Sequence, residues 1–321
     1  MQTRMIIVVA VVVLAAAGMA GADFILSGNE YLLVTSSHTY GILQDSSTAV
    51  ISGGLAGYVE IAYVYDNATL RTSGAPSGRV GTLYAYNDSN VDISGTWGGV
   101  HALYAYNNTH VAISGANAGG GGLNAYDTTT VAISGGDVNY FQAYNNSGVT
   151  VSDGHVTFLG AYGNNVVDIS GGSLNQVSAC YFSTVNMSGG SVETLGVNGY
   201  FGPGTATLNM SGGGVESLYA QYAGTVNISG GSVAQLHAQN TSVITFQGYG
   251  FQVLGGLTLN GNKVLGSGGV LTGKWLDGTA WAIGISEHAS GATIQLVPEP
   301  ATLSLLALGG LALIRRRRAA L

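Results

Sequence analysis

Apolar positions along this chain recur on two scales. On the short scale they alternate with polar ones: Val91-Asp92-Ile93-Ser94 places Val and Ile on one side of an extended segment, and Leu103-Tyr104-Ala105-Tyr106 places Leu and Ala on one side and both tyrosines on the other. Period two is the signature of a half-buried strand. On the long scale the same pair of segments returns, with Gly-Gly before the second and Asn or Asp plus Ser or Thr after it. The serine that closes the Val-x-Ile-Ser segment recurs at Ser52, Ser73, Ser94, Ser114, Ser134, Ser152, Ser170, Ser188, Ser211 and Ser229, with Gln247 as a degenerate last copy, at intervals of 18 to 23 residues. The last residue of the Leu-x-Ala-Tyr segment is Tyr65, Tyr86, Tyr106, Tyr126, Tyr144 and Tyr162, then Cys180, Asn198, Gln221 and Gln239.

The spacing within the unit is uneven in an informative way. From the tyrosine slot to the next serine slot the distance is eight residues in every copy but one, where five more are inserted around 199–204. From the serine slot to the next tyrosine slot it shortens from 13 to 12 to 10. One corner of the unit is fixed while another varies, as in stacked coils whose strands stay in register. A unit of 18 residues cannot bury its own apolar face, and stacking on its neighbours does so. The expected fold is therefore all-β: one parallel β-helix of ten or eleven coils of 18–21 residues over 23–247, with 23–47 as an N-terminal cap. Residues 248–296, where the repeat fades and Trp275 and Trp281 appear, are expected to form a C-terminal β cap over the open strand edges. The apolar spacing of Val226, Ile228, Val233, Leu236 and Ala238 is not hexameric, which favours a right-handed coil over a left-handed hexapeptide one. A propeller is the alternative, but its blades need about 40 residues.

Composition narrows the partners. Glycine fills 52 of 321 positions and only 8% of residues are charged, against roughly 25% in ordinary soluble proteins. Residues 23–296 hold 15 acidic and four basic side chains (Arg71, Arg79, Lys263, Lys274), a formal charge of −11. A nucleic-acid partner is excluded, since phosphate binding needs a basic surface. Tight electrostatic binding of an acidic polymer is equally disfavoured. Cys180 is the single cysteine and leaves no disulfide framework.

The termini read as addresses. Arg4, the apolar run Met5 to Ala17 and the small residues Ala20-Gly21-Ala22 form a secretory signal over 1–22, with signal peptidase cleaving between Ala22 and Asp23. At the other end Val297-Pro298-Glu299-Pro300 precedes an apolar stretch to Ile314 and then Arg315, Arg316, Arg317 and Arg318. Fourteen helical residues span about 21 Å, short of the ~30 Å hydrocarbon core. The arginines would hold such a short membrane helix at the cytoplasmic face. This order over 297–321 resembles the PEP-CTERM sorting signal of bacteria. The resemblance implies a precursor anchored transiently in the inner membrane, cleaved by an exosortase and delivered to the cell surface or extracellular matrix. It further implies association with extracellular polysaccharide and biofilm. The membrane is then met only through the terminal segments.

Candidate chemistry is sparse. Asp88 and Asp92, with Arg71 and Arg79 on the preceding coil, are the best acid–base cluster. Asp92 and Asp168 share a slot but stand four coils apart, about 19 Å, too far for the two-carboxylate geometry of glycoside hydrolysis. No metal or cofactor is expected: the six histidines show no ligand spacing, and the glycines follow the structural period. Asn-x-Ser/Thr triplets such as Asn186-Met187-Ser188 arise from the repeat. The candidate binding surface is the outward column Tyr65, Tyr86, Tyr106, Tyr126, Tyr144 and Tyr162, with Tyr63, Tyr84 and Tyr104 beside it. Such a strip can bind glycan through aromatic faces and flanking amides, or can simply stabilise stacked strands. The expected function is a structural or adhesive surface protein without catalytic residues; a polysaccharide-degrading β-helix enzyme and an inert spacer are the alternatives.

Overall fold

The computed structural model describes residues 24–34, 37–52, 58–73, 79–95, 99–118, 120–198 and 204–298. The expected signal helix with Ala22 and Asp23, and the expected membrane helix with Glu299, Pro300 and Arg315–Arg318, lie outside the described residues. Within them the chain is all-β, a parallel β-solenoid of about ten turns with no helix.

Two strand ladders run the length of the body. The Leu-x-Ala segments stack coil on coil, as in Leu83↔Leu103↔Leu123↔Phe141↔Leu159. The Val-x-Ile segments form the other ladder, as in Val91↔Val111↔Val131↔Val149↔Val167. These pairings are parallel, and along the Leu-x-Ala and Val-x-Ile segments they are in register, so like residues meet like; the register shifts only past Ile113 and Ile133. Alternation does the rest. Ile93, Ile113, Ile133, Val151 and Ile169 point inward and are buried, while Asp92, Ala112, Ala132, Thr150 and Asp168 face out in one column. The core is thus one continuous apolar column, and each buried Val, Leu or Ile contributes about 1.5–3 kcal/mol.

The two kinds of corner have different physics. After the tyrosine slot comes a left-handed residue, Asp66, Asn87, Asn107, Asp127 or Asn145, with φ between 56° and 62°. Asn and Asp tolerate this conformation because their short polar side chains bond locally. Two residues further on, a small polar side chain turns inward: Ser89, Thr109, Thr129 and Ser147 are fully buried. Thr109 Oγ1 donates to the Tyr106 carbonyl at 2.8 Å and Ser147 Oγ to that of Tyr144 at 3.1 Å. This closed turn fixes the corner, hence the spacing of eight in every copy but the one with the insertion around 199–204. The opposite corner is built from glycine pairs, with Gly172, Gly190, Gly213 and Gly231 at φ of 74° to 82°.

Both ends join the ladders. From Phe24, the segment read as an N-terminal cap is itself coil: Phe24–Leu26 pairs in parallel with Gly41–Leu43, and Tyr31–Val34 with Thr48–Ile51. At the C-terminal end the ladders continue after an interruption. Ala280–His288 adds in parallel to Ser232–Ala238, and Thr293–Pro298 to Val243–Gly248. Between them the chain makes an antiparallel hairpin, and its strand Lys263–Lys274 pairs with Ala280–Ile285 and, through Lys263 and Val264, with Gln295 and Ile294. Trp275 and Trp281 stack at 4.7 Å beneath it, Trp281 lying over Phe246 at the end of the core.

Candidate functional site

The outward tyrosines form two columns. Successive rings from Tyr65 through Tyr86, Tyr106, Tyr126 and Tyr144 to Tyr162 lie 4.8–5.4 Å apart with planes within 6–23° of parallel. Tyr63, Tyr84 and Tyr104 form the second column at 5.2 Å. The columns exist because parallel in-register coils put each slot one strand spacing above the last. The Tyr63 and Tyr65 rings are parallel to within 3° with centroids 6.3 Å apart, so the columns run next to each other.

This geometry changes what the strip can do. The ring faces are spent on one another, so a ligand approaching from solvent meets ring edges and phenol hydroxyls. Aromatic packing on a sugar face, the mechanism expected of isolated tyrosines, is open only at the column ends. Beside the strip runs a row of carboxamides and carboxylates: Asn87 Nδ2 donates to Asp66 Oδ1, Asn107 Nδ2 to Asn87 Oδ1, and Asn145 Nδ2 to Asp127 Oδ1, each at 3.1 Å. Beyond Tyr162 the column changes character. Cys180 is buried, which pushes its thiol up and leaves it a passive core group. Gln221 Nε2 then bonds Gln239 Oε1 at 2.7 Å.

Burial raises the phenol pKa of all six slot tyrosines above the ordinary value of 10.0, and at Tyr106 and Tyr126 the neighbouring ring adds to it. The folded state therefore favours the neutral phenol. Its stabilisation is complete below the unfolded value near 10 and is lost as pH rises through the higher folded values. In an alkaline titration followed by phenolate absorbance, these tyrosines are expected to ionise after free phenol and together with unfolding. A single transition at the free-phenol value in the still-folded protein would show that the columns are not stacked.

The proposed acid–base cluster separates. Arg71 Nε meets Asp92 Oδ2 at 2.9 Å, both side chains being exposed, and Asp88 Oδ1 accepts from Asn108 Nδ2 at 2.7 Å. Arg79 lies on the other ladder, in register with Tyr58 and Gly99. Asp92 is held by the preceding coil and Asp88 by the following one, so the two carboxylates are tied in opposite directions along the axis. Asp92 and Asp168 do share one column, four rungs apart.

Sequence reasoning passed over an outward polar ladder in the C-terminal half. Asn186 Nδ2 donates to Asp168 Oδ1 at 2.8 Å, Asn209 Nδ2 to Asn186 Oδ1 at 3.0 Å, and Asn227 Nδ2 to Asn209 Oδ1 at 3.0 Å. Its signal is present in the triplets Asn186-Met187-Ser188, Asn209-Met210-Ser211 and Asn227-Ile228-Ser229, which taken one at a time look like a by-product of the repeat.

The terminal motif is joined to the fold. Val297 and Pro298 belong to the last strand, opposite Gln247 and Gly248, with Leu296 buried beside them. Proline is tolerated at such a strand end, where its missing N–H costs no ladder bond. Among the described residues no helix is long and apolar enough to cross a membrane, and no group of three or more potential metal ligands occurs. Neither the curated proteins nor the solved structures hold a match to the chain. Residues 296–318 match the PEP-CTERM protein-sorting motif, so the chain carries an exosortase sorting signal that implies export to the cell surface, fused without a linker to a β-solenoid.

Proposed function

We propose that the exported solenoid is a structural and adhesive protein of the cell surface or extracellular matrix, holding extracellular polysaccharide along its side. The observation that carries this reading is the pair of tyrosine columns with their row of amides. They display phenol hydroxyls at one coil spacing over six coils, with carboxamides beside three of them (Asn87, Asn107, Asn145) and carboxylates beside two (Asp66, Asp127), on a body joined directly to the sorting motif. Hydroxyl and carboxamide groups supply both donors and acceptors, as a hydroxyl-rich polymer requires. The reading is non-catalytic: the lateral ties of Asp88 and Asp92 support it, since two-carboxylate hydrolysis of a glycosidic bond needs both groups flanking that bond.

The test mixes the exported protein with the host's own polysaccharide and measures the polymer's size distribution. Larger complexes are expected. Tyr106→Phe with Tyr126→Phe keeps the stack but removes two hydroxyls, and should weaken retention severalfold at an unchanged melting temperature. An unaltered size distribution would leave an inert spacer, and shortened polymer would make the protein an enzyme; either result overturns the proposal.

A further inference from the structure

The polar ladder of the C-terminal half lines an open groove of about 670 Å³ along the solenoid axis. Its floor is the amide column Asn186, Asn209 and Asn227, and its side is the hydroxyl column Ser188, Ser211 and Ser229, two residues further along the chain and just past the end of each strand. A carboxamide has two N–H donors and an oxygen with two lone pairs. At Asn186 and Asn209 the ladder uses one N–H and accepts one bond, leaving one donor and one acceptor position per rung. The serine hydroxyls make only long bonds of 3.4–3.5 Å to the carbonyl of the coil below, and their oxygens remain able to accept. The free groups therefore repeat once per coil, ~4.8 Å apart, close to one residue of an extended β-linked sugar chain.

Charge selects among such polymers. Among the described residues no lysine or arginine lines the groove, and Asp168 stands at one end. At the other end the groove opens into a depression of about 810 Å³ walled by Trp275, Leu276 and Asp277, with Ser211, Ser229 and Gln247 lining both. A polyuronate would meet carboxylates at each end and no cation between them.

From this geometry we infer that the groove binds an extended neutral β-linked polysaccharide parallel to the solenoid axis, one sugar per coil. This rests on the reading of the protein as a glycan-holding surface solenoid, but it places the contact on a different face from the tyrosine strip. It also gives the Asn-x-Ser triplets a role that modification would abolish, because a glycan on Asn209 Nδ2 would break the ladder.

The test is calorimetric titration of the full chain with cellohexaose and, separately, with an oligogalacturonate of equal length. Cellohexaose is expected to bind, and the acidic oligomer at least tenfold more weakly. Ser211→Leu fills the groove from an exposed position while leaving every amide side chain in the sequence, and should weaken cellohexaose at least tenfold at an unchanged melting temperature. Ser188→Val, one coil away, provides a second variant with a strand-compatible side chain. The Tyr106→Phe/Tyr126→Phe protein should bind cellohexaose as the parent does. Failure of the parent to bind, equal affinity for both oligomers, or indifference to both groove variants would each overturn the inference. Loss of binding in the tyrosine variant alone would overturn it while leaving the tyrosine-strip reading in place.

Discussion

Ile133→Asp is expected to destabilise the solenoid by at least ~4 kcal/mol, while Ala132→Asp, one residue away, changes stability by less than ~0.5 kcal/mol. Ile133 is 1% exposed and stacked between Ile113 and Val151. A carboxylate there loses the apolar contacts and faces no cation, so its charge is uncompensated. Ala132 lies in the outward column between Ala112 and Thr150, where a carboxylate stays hydrated. Since each coil touches only its neighbours, the damage should spread along the stack, and the variant should lose both melting temperature and cooperativity. The charge component has a pH signature. Burial would raise the folded pKa of the new aspartate, so that part of the penalty is absent below the unfolded value near 3.9 and appears as pH rises through it. The check is thermal unfolding followed by far-UV circular dichroism at about pH 3 and 7. Equal effects from both substitutions would refute the alternation on which the fold rests.

The body was legible in the sequence because parallel stacking converts a linear repeat directly into a spatial one. Val91, Val111 and Val131 occupy one slot of the repeat and therefore one rung apiece of one ladder. The recurring spacing of eight pointed to a fixed corner, but not to its cause, which is a left-handed residue, most often Asn or Asp, followed two positions on by an inward side chain, most often Ser or Thr. Three features were not legible. The return of Ala280–His288 and Thr293–Pro298 to the parallel ladders depends on pairing across about fifty residues, and no local period marks it. Arg79 was placed beside Asp92 by sequence proximity, whereas the coil sends the two to different ladders. The orientation of the tyrosine rings, which decides whether faces or edges meet a ligand, is set by stacking along the axis, a direction absent from the periodicity. The polar groove was written in the sequence as Asn-x-Ser, yet each triplet looks trivial until stacking places three of them on one wall.

The glycine corner gives the second large effect. Gly190 sits at φ 74°, and a Cβ there would lie 2.6 Å from the carbonyl oxygen of Gly171 and 3.0 Å from that of Gly172 in the coil below. Gly190→Ala meets two penalties: the left-handed conformation costs a side-chain-bearing residue about 1–2 kcal/mol, and the clash is with backbone that also carries the ladder. The stack cannot relax by moving one coil, because Ser191 donates its N–H to the Gly172 carbonyl at 3.0 Å. The expected loss is ~2–4 kcal/mol. Gly148→Ala supplies the contrast within the same fold: its nearest neighbour to an added Cβ is Thr130 Cγ2 at 3.9 Å, and the smaller backbone entropy of the unfolded chain should leave stability equal or higher by up to ~1 kcal/mol. Urea unfolding of both variants measures the difference. If Gly190→Ala were as stable as Gly148→Ala, the Gly-Gly corner would be a matter of composition alone. A large difference would mean that the second glycine of each pair is what lets one coil settle on the next at strand spacing, and that the outward columns of tyrosine, amide and hydroxyl depend on it for their register.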